Sequence, residues 1–432
     1  MFKTLVDAFK IKEIRHKFYL TILLVVVYRL GCWIPVPGLV ANSFNELVNA
    51  GGGEGFLSLL SAVSGGALAN GAILALGVSP YISSSIIIQL LTIAIPRLER
   101  LSKMGEEGKK KIATYTKYCA LALAILQAVA IVLGYREILN TEVMPEWVVG
   151  ILVTVVLVAG SMFTYWLGEK ITSIGLCNGL SMIIFVGILS TAATSILANI
   201  TAIAGGGEKA VESGIELAVF LVAVVAIFGF IVFMDMSERK IPVQYAKQIK
   251  GRKMYGGQST YIPIRVNATG VMPIIFAMSL LSFPQLLMSI FWPHSAFYQS
   301  YSLWLGAGSW IYMVLVGVLI TFFSYFWTQI TFNPEDVSKN IQQNGGFIPG
   351  IRPGKPTAEH LKKISNRITL FGALFLAFIA TIPSLVFKSI GSGTLVGVFS
   401  ATGLLIVVSV AIEFQKQLEA QMLMKSYKGF LK

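Results

Sequence analysis

Ten stretches nearly free of charge recur along the 432-residue chain, each about as long as the roughly 20 residues a helix needs to cross a hydrocarbon core. They lie near 18–35, 73–95, 114–134, 147–167, 179–203, 214–234, 268–292, 303–330, 368–387 and 394–412. Lipid offers no partners to backbone amides, so such runs span as helices that satisfy their own hydrogen bonds. The expected fold is an all-α integral membrane protein with ten transmembrane helices. Only 13% of residues are charged, against about 25% in soluble domains, which excludes a disordered chain, a disulfide scaffold and a coiled coil. Asp7 and Glu13 precede the first run and no small-residue cleavage site follows it, so that run is expected to be retained.

Charge placement gives the orientation. Thirty of the 34 Lys and Arg fall before the first run, after the last, or in the connections on that same side, and three, Arg136, Lys209 and Lys388, fall opposite. This predicts both termini in the cytoplasm, with a cytoplasmic N-terminus over 1–17 and a cytoplasmic tail over 413–432. The formal charge of +13 is thereby mostly a topology signal and does not argue for nucleic-acid recognition. Two cytoplasmic loops, 237–267 and 331–366, interleave bases with glycine and proline. They read either as topology determinants or as protruding basic hairpins that dock an acidic or large cytosolic partner.

The segment from Gly51 to Ala67 holds about a dozen residues of helical character between glycines, too few to cross at 1.5 Å per residue. It is either a helix lying on the membrane surface or a re-entrant element hinged at Gly65 and Gly66. The following run carries Ser79, Ser83, Ser84, Ser85 and Gln89. An unpaired amide in hydrocarbon is costly, so Gln89 should find a partner, and Asn267 is a candidate. Arg29, inside the first run, is placed to reach interfacial water or to anchor a neighbouring element.

Catalytic chemistry has no foothold. HExxH, CxxC and GxSxG are absent, and Cys32, Cys119 and Cys177 are widely separated, so they are expected as free thiols and no catalytic residue, metal or cofactor is expected. Gly350-Ile-Arg-Pro-Gly-Lys-Pro-Thr is too short between its glycines for a phosphate loop and has Pro356 where a hydroxyl should stand. Composition and topology leave a channel and a small-solute transporter open; a membrane hydrolase would need a constellation that is not evident.

Several stretches carry a resemblance to one family. Ile34-Pro-Val-Pro-Gly, Ser64-Gly-Gly-Ala-Leu, Pro80-Tyr-Ile-Ser-Ser-Ser-Ile-Ile-Ile-Gln-Leu-Leu, Trp166-Leu-Gly-Glu-Lys-Ile-Thr, Gly256-Gly-Gln-Ser-Thr-Tyr-Ile-Pro-Ile-Arg-Val-Asn, Gly270-Val-Met-Pro and Phe347-Ile-Pro-Gly-Ile-Arg-Pro-Gly follow in order. The chain resembles, over essentially its whole length, the SecY family of protein-export channel subunits. One departure is Cys177 within Gly175-Leu-Cys-Asn-Gly179, where the family commonly has glycine.

The resemblance implies two pseudo-symmetric inverted halves of five spans, over 18–203 and 204–412, around an hourglass pore. It places a ring of aliphatic side chains at Val78, Ile82, Leu180, Ile184, Ile275 and Ile406. It makes 55–67 a plug bearing Phe56, Leu57, Leu59, Leu60 and Val63, and puts a lateral gate between spans two and three and spans seven and eight, with Gln89 and Asn267 bonded across it. Arg352, Arg252 and Lys250 would dock a SecA-type ATPase and the ribosome. SecE-like and SecG-like small membrane subunits, precursors bearing signal sequences, and membrane lipids are the other implied partners, and the bacterial cytoplasmic membrane the implied location.

Overall fold

The computed structural model describes residues 9–39, 61, 64–134, 145–204, 208–245, 248–250, 253–255, 259–267, 270–291, 295, 301, 304–305, 309–390 and 401–429. Its main helices run in order α1 (Lys12–Gly31), α2 (Ser79–Ala94), α3 (Pro96–Lys103), α4 (Gly105–Gly134), α5 (Glu146–Ile174), α6 (Gly179–Ala204), α7 (Glu208–Asp235), α8 (Met272–Phe291), α9 (Trp310–Thr331), α10 (Pro334–Gln343), α11 (Lys355–Ile390) and α12 (Ala401–Gly429). All but α3 and α10 overlie the ten apolar runs. Gly105–Leu133, Glu146–Ile174, Trp310–Gln343 and Lys355–Thr381 are each long and apolar enough to cross a membrane, and α2 with α3 makes a fifth candidate bent by 102°. Gly179–Thr194, Leu221–Asp235 and Met272–Leu281 are shorter apolar helices. The bend has a local cause: Pro96 opens α3 and Ile95 before it is extended, at φ −107° and ψ 113°, as the proline ring demands.

The second run corrects the expectation of a helix from residue 73. Helix α2 starts only at Ser79, with Pro80 in its first turn. Residues 64–78 form successive turns, in which Gly65, Gly66, Gly71 and Gly77 all take positive φ. Leu68, Ala72 and Leu76 within them are fully buried. Irregular backbone at this depth is tolerable because protein surrounds it. A Cβ on Gly160 of α5 would collide with the Ile73 carbonyl, so α5 lies directly on this irregular stretch. Ser161 Oγ next to it donates to the Gly77 carbonyl at 3.2 Å.

Three apolar cores organise the helices. One, in the first half, joins Val36, Leu68 and Leu76 to Ala128 and Ile131 of α4 and to Val149, Val153 and Leu157 of α5. A second, in the other half, joins α7, α8, α9, α11 and α12. The third lies between them and draws on Tyr28 and Cys32 at the end of α1, Val78, Ile183, Ile184 and Ile188 of α6, and Ile406 and Val410 of α12. Helix α12 serves two cores at once: Leu404, Leu405, Val408 and Ile412 face the second, while Ile406 and Val410, one turn apart, face the third.

The two basic loops do not make separate hairpins. Strand β1 (Glu238–Tyr245) pairs with β4 (Ser259–Arg265), and its other edge pairs with β5 (Gly346–Phe347) from the second loop. The short β2 (Gln248–Lys250) and β3 (Lys253–Tyr255) form the tip of the first loop. Alternation in β1 turns Ile241 and Val243 inward, where with Ile264, Ile341, Ile348 and Leu361 they form a small core of their own.

Candidate functional site

The third core is where sequence-identified residues converge. Val78, Ile184 and Ile406 are among its buried members, and Ile82 and Leu180 pack against it half-buried. Five of the six aliphatic residues expected to form a ring thus share one cluster. Ile275 of α8 does not belong to it. Its neighbours Ile274 and Phe276 are buried in the second core, and α8 approaches the central cluster through Val271, one turn earlier, which touches both cores. The five aliphatic side chains offer no hydrogen-bonding group, so they can exclude water and ions and part without breaking polar contacts of their own.

The plug residues Phe56, Leu57, Leu59, Leu60 and Val63 lie outside the described residues, as does Arg252. The C-terminal end of the plug segment is described. Gly66 N–H donates to the Ser61 carbonyl at 2.8 Å and Gly65 takes φ 70°, the six-to-one bond and left-handed residue that close a helix. Ala67 and Ala72 beyond it enter the central cluster.

Two polar residues expected to bond across the gate are paired otherwise. Gln89 Nε2 donates to Ser85 Oγ at 3.4 Å one turn back on α2, and Asn267 Nδ2 donates to Asp235 Oδ1 at 2.6 Å. The cause is local: an ionised acceptor at the end of α7 outcompetes a neutral amide. Asp235 Oδ2 also accepts from Ser409 Oγ at 3.0 Å, so Asn267 is tied to α7 and α12. Among the described residues its own Oδ1 is buried without a partner, and so is Oε1 of Gln127 on α4. Gln127 was missed from sequence; an amide in the middle of an apolar run was the available signal. Around this seam α2 packs on α4, α8 packs on α9, and α4 meets α8. Ile86 of α2 reaches the second core.

Arg352 sits exposed on a fixed loop of the extra-membrane unit. Its carbonyl accepts from Thr357 Oγ1 at 2.8 Å, and the Gly354 carbonyl accepts from Ser338 Oγ at 2.8 Å. Gly350 and Gly354 on either side have φ 81° and 98°, which places this arginine on a tight, pinned turn. Lys250 pairs with Lys253 at the β2–β3 tip. The Cys177 turn is well formed: Gly175 caps α5 at φ 83°, Asn178 Oδ1 accepts from the Leu180 and Ser181 amides at the start of α6, and Cys177 is buried. Burial, with the Glu413 carboxylate adding to it, pushes the Cys177 thiol up to about 11. Among the described residues no cluster of His, Cys, Asp or Glu could hold a metal ion.

The SecY family profile matches residues 72–415. The chain belongs to the SecY family. Protein translocase subunit SecY of Streptomyces lividans is 40% identical over 455 residues, all of both chains. Its counterpart from Mycobacterium tuberculosis (strain ATCC 25618 / H37Rv) is 38% identical over 454 residues, again all of both. Among solved structures, a protein-conducting channel superposes with TM-score 0.62 at 18% identity, covering 93% of this chain and 91% of that one. A SecY structure described in terms of a plug domain that stabilises the closed channel and maintains a membrane seal gives 0.63 at 19% identity, covering 93% and 90%. Sec61 in the canine ribosome–channel complex gives 0.59 at 17%, covering 93% and 91%. The fold is that of the SecY/Sec61 channels, and the chain is a multi-pass protein-conducting channel of this family.

Proposed function

We propose that this channel passes unfolded secretory polypeptides across the bacterial cytoplasmic membrane through its central cluster and releases membrane segments sideways between α2/α4 and α8/α9. The reading rests above all on the convergence of Val78, Ile82, Leu180, Ile184 and Ile406 in one apolar cluster between the two halves. Parted, such side chains gasket a moving chain; closed, they dewet. Residues 55–67 act as the plug, Gln89 and Asn267 lie at the lateral gate, and both termini face the cytoplasm.

The channel itself supplies no energy. A SecA-type ATPase or the ribosome docks on the extra-membrane unit through Arg352, together with Arg252 and Lys250, and pushes the chain. SecE-like and SecG-like subunits complete the complex. Photocrosslinking a stalled precursor to probes at Ile82, Ile184 and Ile406, with lipid-exposed Val222 on α7 as control, tests the path. Adducts at all three that depend on motor and ATP are expected. Adducts no stronger than at Val222, with a small solute crossing instead, point to a transporter. Arg352→Glu is expected to lower motor-driven export more than insertion into lipid; export at the parental rate removes Arg352 from motor docking.

A further inference from the structure

Asp235 is the last residue of α7, and β1 starts three residues later at Glu238. The Val266 N–H donates to the Ser237 carbonyl at 3.0 Å, which carries the β1–β4 ladder one rung past Glu238 and Arg265 to the foot of the sheet. There Asn267 Nδ2 donates to Asp235 Oδ1 at 2.6 Å. The other carboxylate oxygen, Oδ2, accepts from Ser409 Oγ at 3.0 Å. Ser409 lies three residues after Ile406 and beside Val410, which α12 contributes to the central cluster. Residues three apart on a helix are neighbours, so a bond at Ser409 fixes the rotation of α12 that points Ile406 inward. Lys416, two turns further along the same face, also lies at the foot of the sheet. Burial and the Arg265 guanidinium pull its ammonium below the ordinary lysine value, against the carboxylates of Asp235, Glu238 and Glu419. Helix α11 closes the foot from another side, since a Cβ on Gly372 would collide with the Val266 carbonyl. The sheet has an apolar core of its own, and close-packed cores transmit strain. Two charge-assisted bonds from one carboxylate thus join the foot of this unit to a helix that lines the central cluster.

We propose that Asp235 is the positioning residue that couples the extra-membrane unit to the central cluster: displacement of the unit by a docked motor moves α12, and Ile406 with it, through the Asn267–Asp235–Ser409 bonds. The inference rests on the docking reading above. Asp235 acts through the two side chains it holds, so its loss uncouples the unit from α12 without removing the surface on which a motor docks.

The full chain, with its co-purifying subunits, is reconstituted in vesicles without a membrane potential, so that ion leak does not affect export. Motor affinity and the amount of precursor exported per ATP hydrolysed are measured with a SecA-type ATPase. Asp235→Leu removes both bonds. It is expected to leave motor affinity within a few-fold of the parent and to lower export per ATP by roughly tenfold, inside the range of coupling between two sites. Ser409→Ala removes one bond and should lower export per ATP by less; added to Asp235→Leu it should change nothing further, because its bond is already gone. Asn267→Asp sets two carboxylates face to face and should uncouple the channel as well. Adding Asp235→Asn to it rebuilds both bonds: the amide at 235 donates to the carboxylate at 267, and its oxygen accepts from Ser409. Export per ATP in this exchanged pair should return to within a few-fold of the parent. A value in Asp235→Leu within about twofold of the parent overturns the coupling, and so does an exchanged pair no better than Asn267→Asp. Motor affinity lost in Asp235→Leu as far as in Arg352→Glu makes Asp235 part of the docking surface and overturns it too. A motor that binds Arg352→Glu as tightly as the parent overturns the docking reading itself, and the coupling falls with it.

Discussion

Where α6 meets α12, the contact between the halves is apolar, with Ile406 and Val410 of α12 in one cluster with Ile183, Ile184 and Ile188 of α6; Leu405 and Val408 are wholly buried on the other face of α12, inside the second half. Where α4 meets α8, the same two halves face one another, and Asn267, just before α8, and Gln127 of α4 each bury an oxygen that has no partner among the described residues. Burying apolar surface against apolar surface resists separation at every point. An unpartnered polar atom is a standing cost of about 1–3 kcal/mol that opening to water or to a polypeptide would relieve. On the proposed reading, the first side hinges and the second opens.

The contrast is broken most directly on α12. Ile406→Ala leaves a cavity in the central cluster between the halves and is expected to cost about 2–5 kcal/mol, whereas Ile86→Ala, at a half-buried residue crossing the other seam, should cost about 1 kcal/mol. Thermal unfolding of both variants in the same detergent checks this. Equal losses would mean that the two seams are equally packed. Asp235 is the next lever, since at the end of α7 it accepts from both Asn267 and Ser409 of α12. Asp235→Leu removes two hydrogen bonds to a charged acceptor, together worth about 2–4 kcal/mol after screening of the half-exposed carboxylate. It should loosen the closed state, seen as a raised resting conductance. A smaller change of opposite sign is expected from Gln127→Leu, which deletes an unpartnered oxygen. It should favour the closed channel by about 1–3 kcal/mol and slow export of a precursor with a weak signal. A leakier Gln127→Leu channel would mean that the amide has a partner that holds it shut.

The sequence was most legible where hydropathy and backbone agree. The apolar runs became helices, and all but Ile275 of the ring residues that the resemblance implied share one cluster. Hydropathy reports burial, not conformation, so residues 73–78 read as the start of a span although Gly71 and Gly77 break the helix there. The union of the two basic loops was hidden because β5 is a two-residue strand whose partner lies far away in the chain. The Gln89–Asn267 pairing failed for a related reason: each amide has a nearer or stronger acceptor, and only coordinates rank them. Arg29 showed as a charge out of place, but its acceptor is the Gly65 backbone carbonyl, which no side-chain pattern announces.

The smallest expected effect concerns the closed side alone. Cys177 lies in the turn between α5 and α6, packed into the central cluster, and burial together with Glu413 holds its thiol near 11. A raised thiol pKa means that the folded protein favours the neutral form. The resulting stability is fully present below the ordinary thiol value of 9.0 and is lost as pH rises through about 11. At pH 8 the thiolate fraction is lower by roughly a hundredfold than for an unperturbed thiol, so alkylation followed by site-resolved mass spectrometry should find Cys177 nearly inert, with a rate climbing steeply above pH 9. If Cys177 reacts at pH 8 like an exposed thiol while the protein stays folded, the turn opens without the rest of the hinge side. The packed seam would then be no tighter there than the polar one.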